Sequence, residues 1–300
     1  MISSLSLLQP KEILVLVPEL TVFLFPVGGL EDHGPHLPLG TKLIQAETNT
    51  RLLAEVLEKR LPNWNFILMP LLPLTVDSNT TSFSLNVRAH VVRDAIVDQC
   101  ATLIIHKFSN FVTVATQVTP RQLSALEDAA RIVSRKRWFG GASAQLASVT
   151  GALVEPKQVF ESPMIALPVE HGGAYDTGFM LSQNEKWVDP IFKNLPQVPR
   201  PKAGAKRLIA YFKNEIAGYW GHPHLANAEG ADKQQLEEVS QIAEKMIPWL
   251  EKGKGLSLFR SGYSYFPFNG SFFKAYVLAT LFFLIMLMAA LYSMKDSFDA

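Results

Sequence analysis

The segment PVGGLEDHGPHLPLGTK, residues 26–42, comes at the end of an apolar run, residues 22–27, that is too short for a helix. A short apolar run bounded by glycines predicts a buried strand. The loop after it is rich in acidic, histidine and glycine residues: Glu31, His33, His36, Gly28 and Gly34. Carboxylate and imidazole groups on such a loop suit Zn²⁺ or Mn²⁺. The segment therefore predicts a strand that ends in a candidate metal-binding loop, although the same spacing also fits a hydrogen-bonded surface turn.

Further short apolar runs predict strands at residues 13–17, 66–74, 103–108 and 164–169. Amphipathic patterns predict helices between and after them, at residues 45–60, 85–99, 121–136, 206–217 and 233–250. Strands that alternate with helices favour an α/β fold with three αβα layers and a mainly parallel central sheet.

A second polar loop, EHGGAYDTG at residues 170–178, follows the predicted strand at residues 164–169 and contributes Glu170, His171 and Asp176. In a parallel sheet, ligands bind at the carboxyl ends of the strands. We therefore expect the two polar loops to share one pocket.

Composition excludes some functions. The 28 basic residues nearly balance the 27 acidic ones, so no nucleic-acid partner is expected. Cys100 is the only cysteine, which rules out an intrachain disulfide. We expect Cys100 to be a small core residue rather than a nucleophile.

The C-terminal region predicts a membrane anchor. Residues 275–294 read AYVLATLFFLIMLMAALYSM, twenty residues without a charge between Lys274 and Lys295. The expected organisation is a domain at residues 1–250, an aromatic, Gly- and Ser-containing linker at 251–271, a transmembrane helix at 272–294 and a tail at 295–300. The linker also fits a loop packed on the domain. One uncharged span does not make a transporter.

The N-terminus does not resemble a signal peptide, because no basic region precedes its apolar residues. Four basic residues precede the predicted span, Lys252, Lys254, Arg260 and Lys274, and only Lys295 follows it. Basic residues concentrate on the cytoplasmic side of a membrane span. The sequence therefore predicts a single-pass membrane protein with a large cytoplasmic N-terminal domain.

Residues 26–41 resemble the creatininase family signature P-x-G-x-x-E-x-H-G-x-H-L-P-x-x-T-D. Residues 81–85, 170–181 and 218–233 resemble further family segments in the same order, so the resemblance spans about residues 10–248. It implies a creatininase-like fold in which two divalent ions, bridged by an aspartate and water, hydrolyse a C–N amide bond. It also implies a homo-oligomer, a hexamer or a dimer.

The resemblance assigns roles to individual residues. Glu31 and His33 would be ligands of the two ions, and Asp176 would stand in for a longer glutamate ligand. His171 would assist proton transfer. His36, with Gly28 and Gly34, would shape the loop.

The sequence departs from the family at two places. Lys42 stands where the signature has its bridging aspartate, and a protonated ammonium has no lone pair for a metal. The second departure lies at the predicted strand at residues 103–108, where the family has an N-G-H-G-G-N turn: position for position, Phe108 replaces a ligand histidine. His106, two residues earlier, would then be a rescue ligand.

Two functions are compatible with these departures. The first is a membrane-anchored pseudoenzyme without a cofactor, in which Lys42 places its charge among Glu31, Glu170 or Asp176 and the fold serves in the assembly of a membrane protein complex. The second is an amidohydrolase with one Zn²⁺ or Mn²⁺, acting on a small amide such as a cyclic one. It would use Glu31, His33 and Asp176, with His171 or His106 as a further ligand or base.

Overall fold

The computed structural model describes residues 1–76, 83–116, 119–135, 144–150, 170–199, 218–253, 259, 277–289 and 291. Its centre is a five-stranded sheet in the order β1-β3-β2-β4-β5, in which all pairs are parallel. The strands are β1 (Ile2–Ser4), β2 (Thr21–Val27), β3 (Asn65–Leu68), β4 (Asn110–Ala115) and β5 (Gln145–Thr150). Every residue of β2, the middle strand, is buried, which explains its continuous apolar sequence.

Helices cover both faces of this sheet. They are α1 (Pro10–Leu14), α2 (Thr41–Arg60), α3 (Ala89–Ile105), α4 (Pro120–Val133), α5 (Ala174–Gln183) and α6 (Ala228–Lys252). One apolar cluster joins the sheet to α2 and α6, and a second joins it to α3 and α4. The expected α/β fold with a parallel sheet is confirmed, and four of the predicted helices are present with shifted ends.

The prediction of a strand at residues 103–108 is wrong. Its first residues are the last turn of α3, whose buried positions Val92, Ile96, Cys100 and Ile104 recur every four residues. The chain then turns at Lys107, which has a φ of 69°. The strand of this region is β4, which begins after the turn, at Asn110. Its six residues are all buried.

The other strand predictions have mixed outcomes. Residues 13–17 contain the end of α1 rather than a strand, because Pro10 and the capping pair Gln9 and Glu12 start a short helix. The run at residues 66–74 gives only β3, which ends before Pro70. Strand β5 was not predicted. The predicted strand at residues 164–169 and the predicted helix at 206–217 lie outside the described residues.

Cys100 is fully buried on α3, as expected for a core residue. In the C-terminal region, residues 277–289 and 291 are helical and expose large apolar side chains, including Leu278, Phe282, Phe283 and Met288. None of the helices, as far as the structure describes them, combines the length and the apolar character needed to cross a membrane. The rest of the predicted span and most of the predicted linker lie outside the described residues.

Candidate functional site

The two polar loops meet at the carboxyl end of the sheet, as predicted. The first follows β2, and the second leads into α5. They approach so closely that a Cβ atom on Gly172 would lie 2.2 Å from the carbonyl oxygen of His33. Gly172 also has a φ of +60°, a conformation that glycine adopts without strain. The juxtaposition of the loops therefore depends on a glycine at this position.

The buried side chains of Glu31, His33 and His171 form the centre of the site. One potential ligand atom from each lies within 4.8 Å of the other two. His33 and Glu31 are 0% and 1% exposed, so the cluster is shielded from water. Three protein ligands with room for a fourth are the usual set of a catalytic zinc site.

Backbone carbonyls fix the tautomers of the two histidines. The Nδ1–H of His33 donates to the carbonyl of Glu31 (2.9 Å), and the Nε2–H of His171 donates to the carbonyl of Asp32 (2.7 Å). Because a carbonyl can only accept, each ring keeps its lone pair on the other nitrogen. The Nε2 of His33 is buried, has no hydrogen-bond partner among the described residues and lies 3.6 Å from Glu31 Oε1. This orphaned lone pair beside a carboxylate fits a single divalent cation.

His33 is also held in the neutral form that a metal ligand requires. Burial lowers the pKa of His33 well below its ordinary value, and the nearby His171 and Lys42 lower it further. A protonated His33 would present an N–H instead of a lone pair.

Trp220 extends the stack of the two histidine rings. Its ring stacks on His171 (centroids 4.6 Å apart), which in turn stacks on His33 (4.1 Å). Trp220 and His171 also exchange backbone hydrogen bonds, at 2.9 and 3.1 Å. The segment at residues 218–233 resembles a segment of the family, but no pattern in the sequence pointed to a role for Trp220.

Lys42 and Asp176 form a separate, neighbouring pair. The Lys42 Nζ lies 2.6 Å from Asp176 Oδ1, which also accepts a hydrogen bond from Gln45 Nε2 at 2.9 Å. The other carboxylate oxygen accepts from the backbone N–H of Gly172 at 2.9 Å. Asp176, expected to be a metal ligand, is instead bonded to an ammonium. Gln45 was missed, although its place three residues after Lys42 on α2 puts it on the same helix face.

The neighbouring ammonium keeps the Asp176 carboxyl ionised. Burial by itself would raise the pKa of Asp176, but the ammonium of Lys42, at 2.6 Å, holds that pKa below its usual range. Asp176 is therefore a carboxylate whose charge is already compensated. The residues present fit one cation at Glu31, His33 and His171, but they do not fit a bridged pair of cations.

His36 packs beneath the site. Its Nε2 is 2.9 Å from the Thr177 hydroxyl, and its ring lies edge-on to Tyr219 at 5.8 Å. Gly34, with a φ of +90°, turns the loop between His33 and His36, and Gly28 packs on the backbone of Lys42. The loop-shaping role of His36, Gly28 and Gly34 stays a prediction.

Glu170 links the second loop to the segment that follows residue 217. One carboxylate oxygen accepts a hydrogen bond from the N–H of Ala174 at the start of α5, and the other lies 2.6 Å from His222 Nδ1. A carboxylate at a helix N-terminus is electrostatically favourable. His222 was not singled out from the sequence, and no local pattern pointed to its pairing with Glu170.

Phe108 and His106 lie elsewhere, which corrects their assignment to the metal site. Both precede β4, at the opposite end of the sheet, about 20 Å away at roughly 3.3 Å per residue of β4. Phe108 packs edge-on against Phe23 in the core, with centroids 4.9 Å apart, and His106 is exposed at the end of α3. At the site end of β4, the next residue is Thr116, whose hydroxyl donates to the Lys42 carbonyl at 3.0 Å.

Comparisons with known proteins bear on the fold and on the family of the chain. Solved structures share the fold at low sequence identity. A tryptophan mutant of creatininase matches with a TM-score of 0.67 and 17% identity, covering 82% of this chain and 98% of that one. A protein described as a creatinine amidohydrolase, from Bacteroides fragilis, matches with a TM-score of 0.62 and 18% identity, covering 83% and 96%. The structure titled creatininase Mn has a TM-score of 0.61 and 18% identity, covering 80% and 96%.

At the level of sequence, no curated protein matches the chain. The family model described as creatinine amidohydrolase matches residues 7–246, which is most of its length. By this match, this chain belongs to the creatininase family.

Proposed function

We propose that this protein is a creatininase-fold assembly subunit at a membrane and that it does not perform two-metal hydrolysis. The observation that carries the proposal is the 2.6 Å contact between the Lys42 Nζ and Asp176 Oδ1. The ammonium supplies the positive charge that a cation would bring to Asp176. It also repels a second cation and has no lone pair to bridge two ions.

Elemental analysis of the purified protein tests this proposal. We expect fewer than two equivalents of Zn and Mn per chain after dialysis, and no hydrolysis of creatinine with either ion added. Two tightly held ions per chain, or metal-dependent hydrolysis of creatinine, would contradict it.

The exposed apolar helix supports attachment to a membrane. Large apolar side chains cover residues 277–289 on all sides, for example Leu278 and Phe282, which are 66% and 67% exposed. Such a surface is unfavourable in water and favourable in hydrocarbon. We take residues 272–294 as the span, with the N-terminal domain on the cytoplasmic side because more basic residues precede the span than follow it.

Extraction from membranes tests the attachment. The full chain should stay with membranes in alkaline carbonate and dissolve only in detergent. Leu284→Arg, near the middle of the span, should weaken insertion by about 3 kcal/mol and release part of the protein. Release of the unmodified chain by carbonate would overturn the attachment.

The assembly role rests on oligomerisation. The homo-oligomer that the family resemblance implies would bring several C-terminal helices into one patch of membrane, which suits a scaffold for a membrane protein complex. Light scattering in detergent should therefore give a mass of at least two chains; a monomer would contradict this part of the proposal.

A second candidate, a hydrolase with one metal ion, is favoured by the orphaned Nε2 of His33. Glu31, His33 and His171 would hold the ion, and Zn²⁺ or Mn²⁺ in such a site lowers the pKa of a bound water. Hydrolysis of a small amide that requires added metal and disappears in Glu31→Gln would establish it. The absence of metal binding by the intact chain would exclude it.

A further inference from the structure

The chain leaves the folded domain at the end of the sheet opposite the candidate site. In the first half of α6, Gln235 donates to Asn49 of α2 at 2.6 Å, and Asn49 lies about 12 Å along α2 from Thr41, the first residue of that helix. Late in α6, Trp249 shares an apolar cluster with Trp64, which directly precedes β3. The ring of Phe259 lies 5.8 Å from that of Trp249. The last described residues before position 277, Gly253 and Phe259, therefore lie on the amino-end side of the strands.

This side of the domain exposes large apolar residues. They lie in the segments that lead into the neighbouring strands β2 and β4: Leu14 (69% exposed), Val15 (79%), Val17 (49%) and Ile105 (80%). The side-chain amide of Asn110 donates to the carbonyl of Glu19 at 3.0 Å and ties the two segments together. Single exposed apolar residues are ordinary, but four on adjoining segments of one side form a patch that indicates a partner surface.

Exposed basic side chains lie at the same end of the sheet as the patch, those of α2 and α6 on the opposite face of the sheet. Helix α2 ends at Lys59 and Arg60, α6 ends at Lys252, and Lys107 precedes β4; all four are exposed. Anionic lipid headgroups attract such residues. The exposed acids Glu12, Glu19 and Glu251 lie on the same side, so burial of the apolar residues must supply the larger part of the binding energy.

We infer that this amino-end surface, formed by Leu14, Val15, Val17 and Ile105 together with the exposed basic residues at the same end of the sheet, rests on a lipid bilayer. The inference depends on the membrane attachment proposed above. Residues 260–276 lie outside the described residues and supply no evidence on the orientation of the domain. Contact through the amino-end surface fixes one orientation. The cluster of Glu31, His33 and His171 then faces away from the membrane, toward the aqueous phase.

Fluorescence quenching on the full chain tests this orientation. Ile105→Cys and, as a matched control at the opposite end, Leu225→Cys would each carry an environment-sensitive fluorophore. Leu225 is 39% exposed and ends the short helix Pro223–Leu225 beside His222. The native Cys100 is buried and should not react. Both variants would be reconstituted in vesicles of phosphatidylcholine and phosphatidylserine that contain a headgroup nitroxide lipid.

We expect the nitroxide lipid to quench the Ile105 probe several-fold more than the Leu225 probe, and aqueous iodide to show the reverse order. If the protein floats with the vesicles but both probes are quenched equally, the proposed orientation is wrong. The proposed membrane attachment is then unaffected. An Ile105 probe shielded from both quenchers would overturn it in favour of a contact between copies of the chain. Protein that does not float with the vesicles would overturn the attachment and the orientation together.

Discussion

The Lys42 Nζ and Asp176 Oδ1 lie 2.6 Å apart although 134 residues separate them in the chain. Both groups are largely buried, with side-chain exposures of 13% and 3%. Removing one member of a buried ion pair leaves an uncompensated charge, whereas removing both does not. The pair is therefore a structural element of the site, and its two members should be tested together.

Lys42→Met should destabilise the protein by about 3 kcal/mol because it leaves the Asp176 carboxylate buried and unpaired. The double variant Lys42→Met, Asp176→Leu should be more stable than Lys42→Met alone. Urea unfolding measures both. Lys233→Met is the control, because it breaks the exposed pair with Glu229 and should cost less than about 1 kcal/mol. A double variant no more stable than the single one would show that the two charges are not coupled.

Zn²⁺ should raise the melting temperature of the protein if the cluster of Glu31, His33 and His171 binds one ion. Binding at a hundredfold excess over the dissociation constant would stabilise the folded state by about 2.7 kcal/mol. His33→Asn should abolish the shift, because it removes the buried lone pair, while His224→Asn, an exposed position, should retain it. The measurement is differential scanning calorimetry with and without the ion. A shift that survives in His33→Asn would place the ion elsewhere.

Acidification should destabilise the protein through His36. Burial lowers the pKa of His36 to about 4, whereas an unfolded histidine titrates near 6.5. Between these values the unfolded state binds more protons, so stability present above about pH 6.5 is lost as the pH falls toward about 4. The loss from this one group is at most about 3 kcal/mol.

Urea unfolding at a series of pH values measures that loss. His36→Gln should flatten the slope in this window, and His224→Gln, at an exposed position, should not. An unchanged slope in His36→Gln would assign the acid sensitivity to other groups.

The Cys100 thiol should be inert in the folded protein, because burial raises its pKa and excludes reagents. Reaction with a disulfide reagent should therefore be slow in buffer and fast in urea. Cys100→Ala should retain near-native stability, losing about 1 kcal/mol, since a small apolar residue replaces a small apolar one. Rapid labelling of the native protein would indicate an exposed thiol.

Much of the candidate site could be predicted from the sequence, because its parts are local. The loop after β2 carries Glu31, His33 and His36 within six residues, and a short apolar run before it signals a strand. The possibility that Lys42 pairs with Asp176 also followed from charge, since an ammonium among carboxylates forms an ion pair. What could not be predicted is which of three carboxylates it would choose, because that depends on how α2 and α5 pack.

The error at Phe108 has a physical cause. The run at residues 103–108 is apolar enough for a strand, and periodicity in a short run does not separate a strand from the last turn of a buried helix. Only the extension of α3 to Ile105 and the turn at Lys107 decide the matter. Because the strand begins at Asn110 and not at residue 103, Phe108 and His106 lie at the opposite end of the sheet from the cluster of Glu31, His33 and His171.

The sequence by itself determined the family, the parallel α/β architecture and the presence of polar loops at strand ends, because these depend on local patterns of apolar and polar residues. The tertiary structure decided which side chains act together. It stacked His33 on His171 and His171 on Trp220, bonded Asp176 to Lys42 and Gln45, and joined Glu170 to His222. Those contacts join residues far apart in the chain, and their distances are set by the packing of helices on the sheet, which no local pattern encodes.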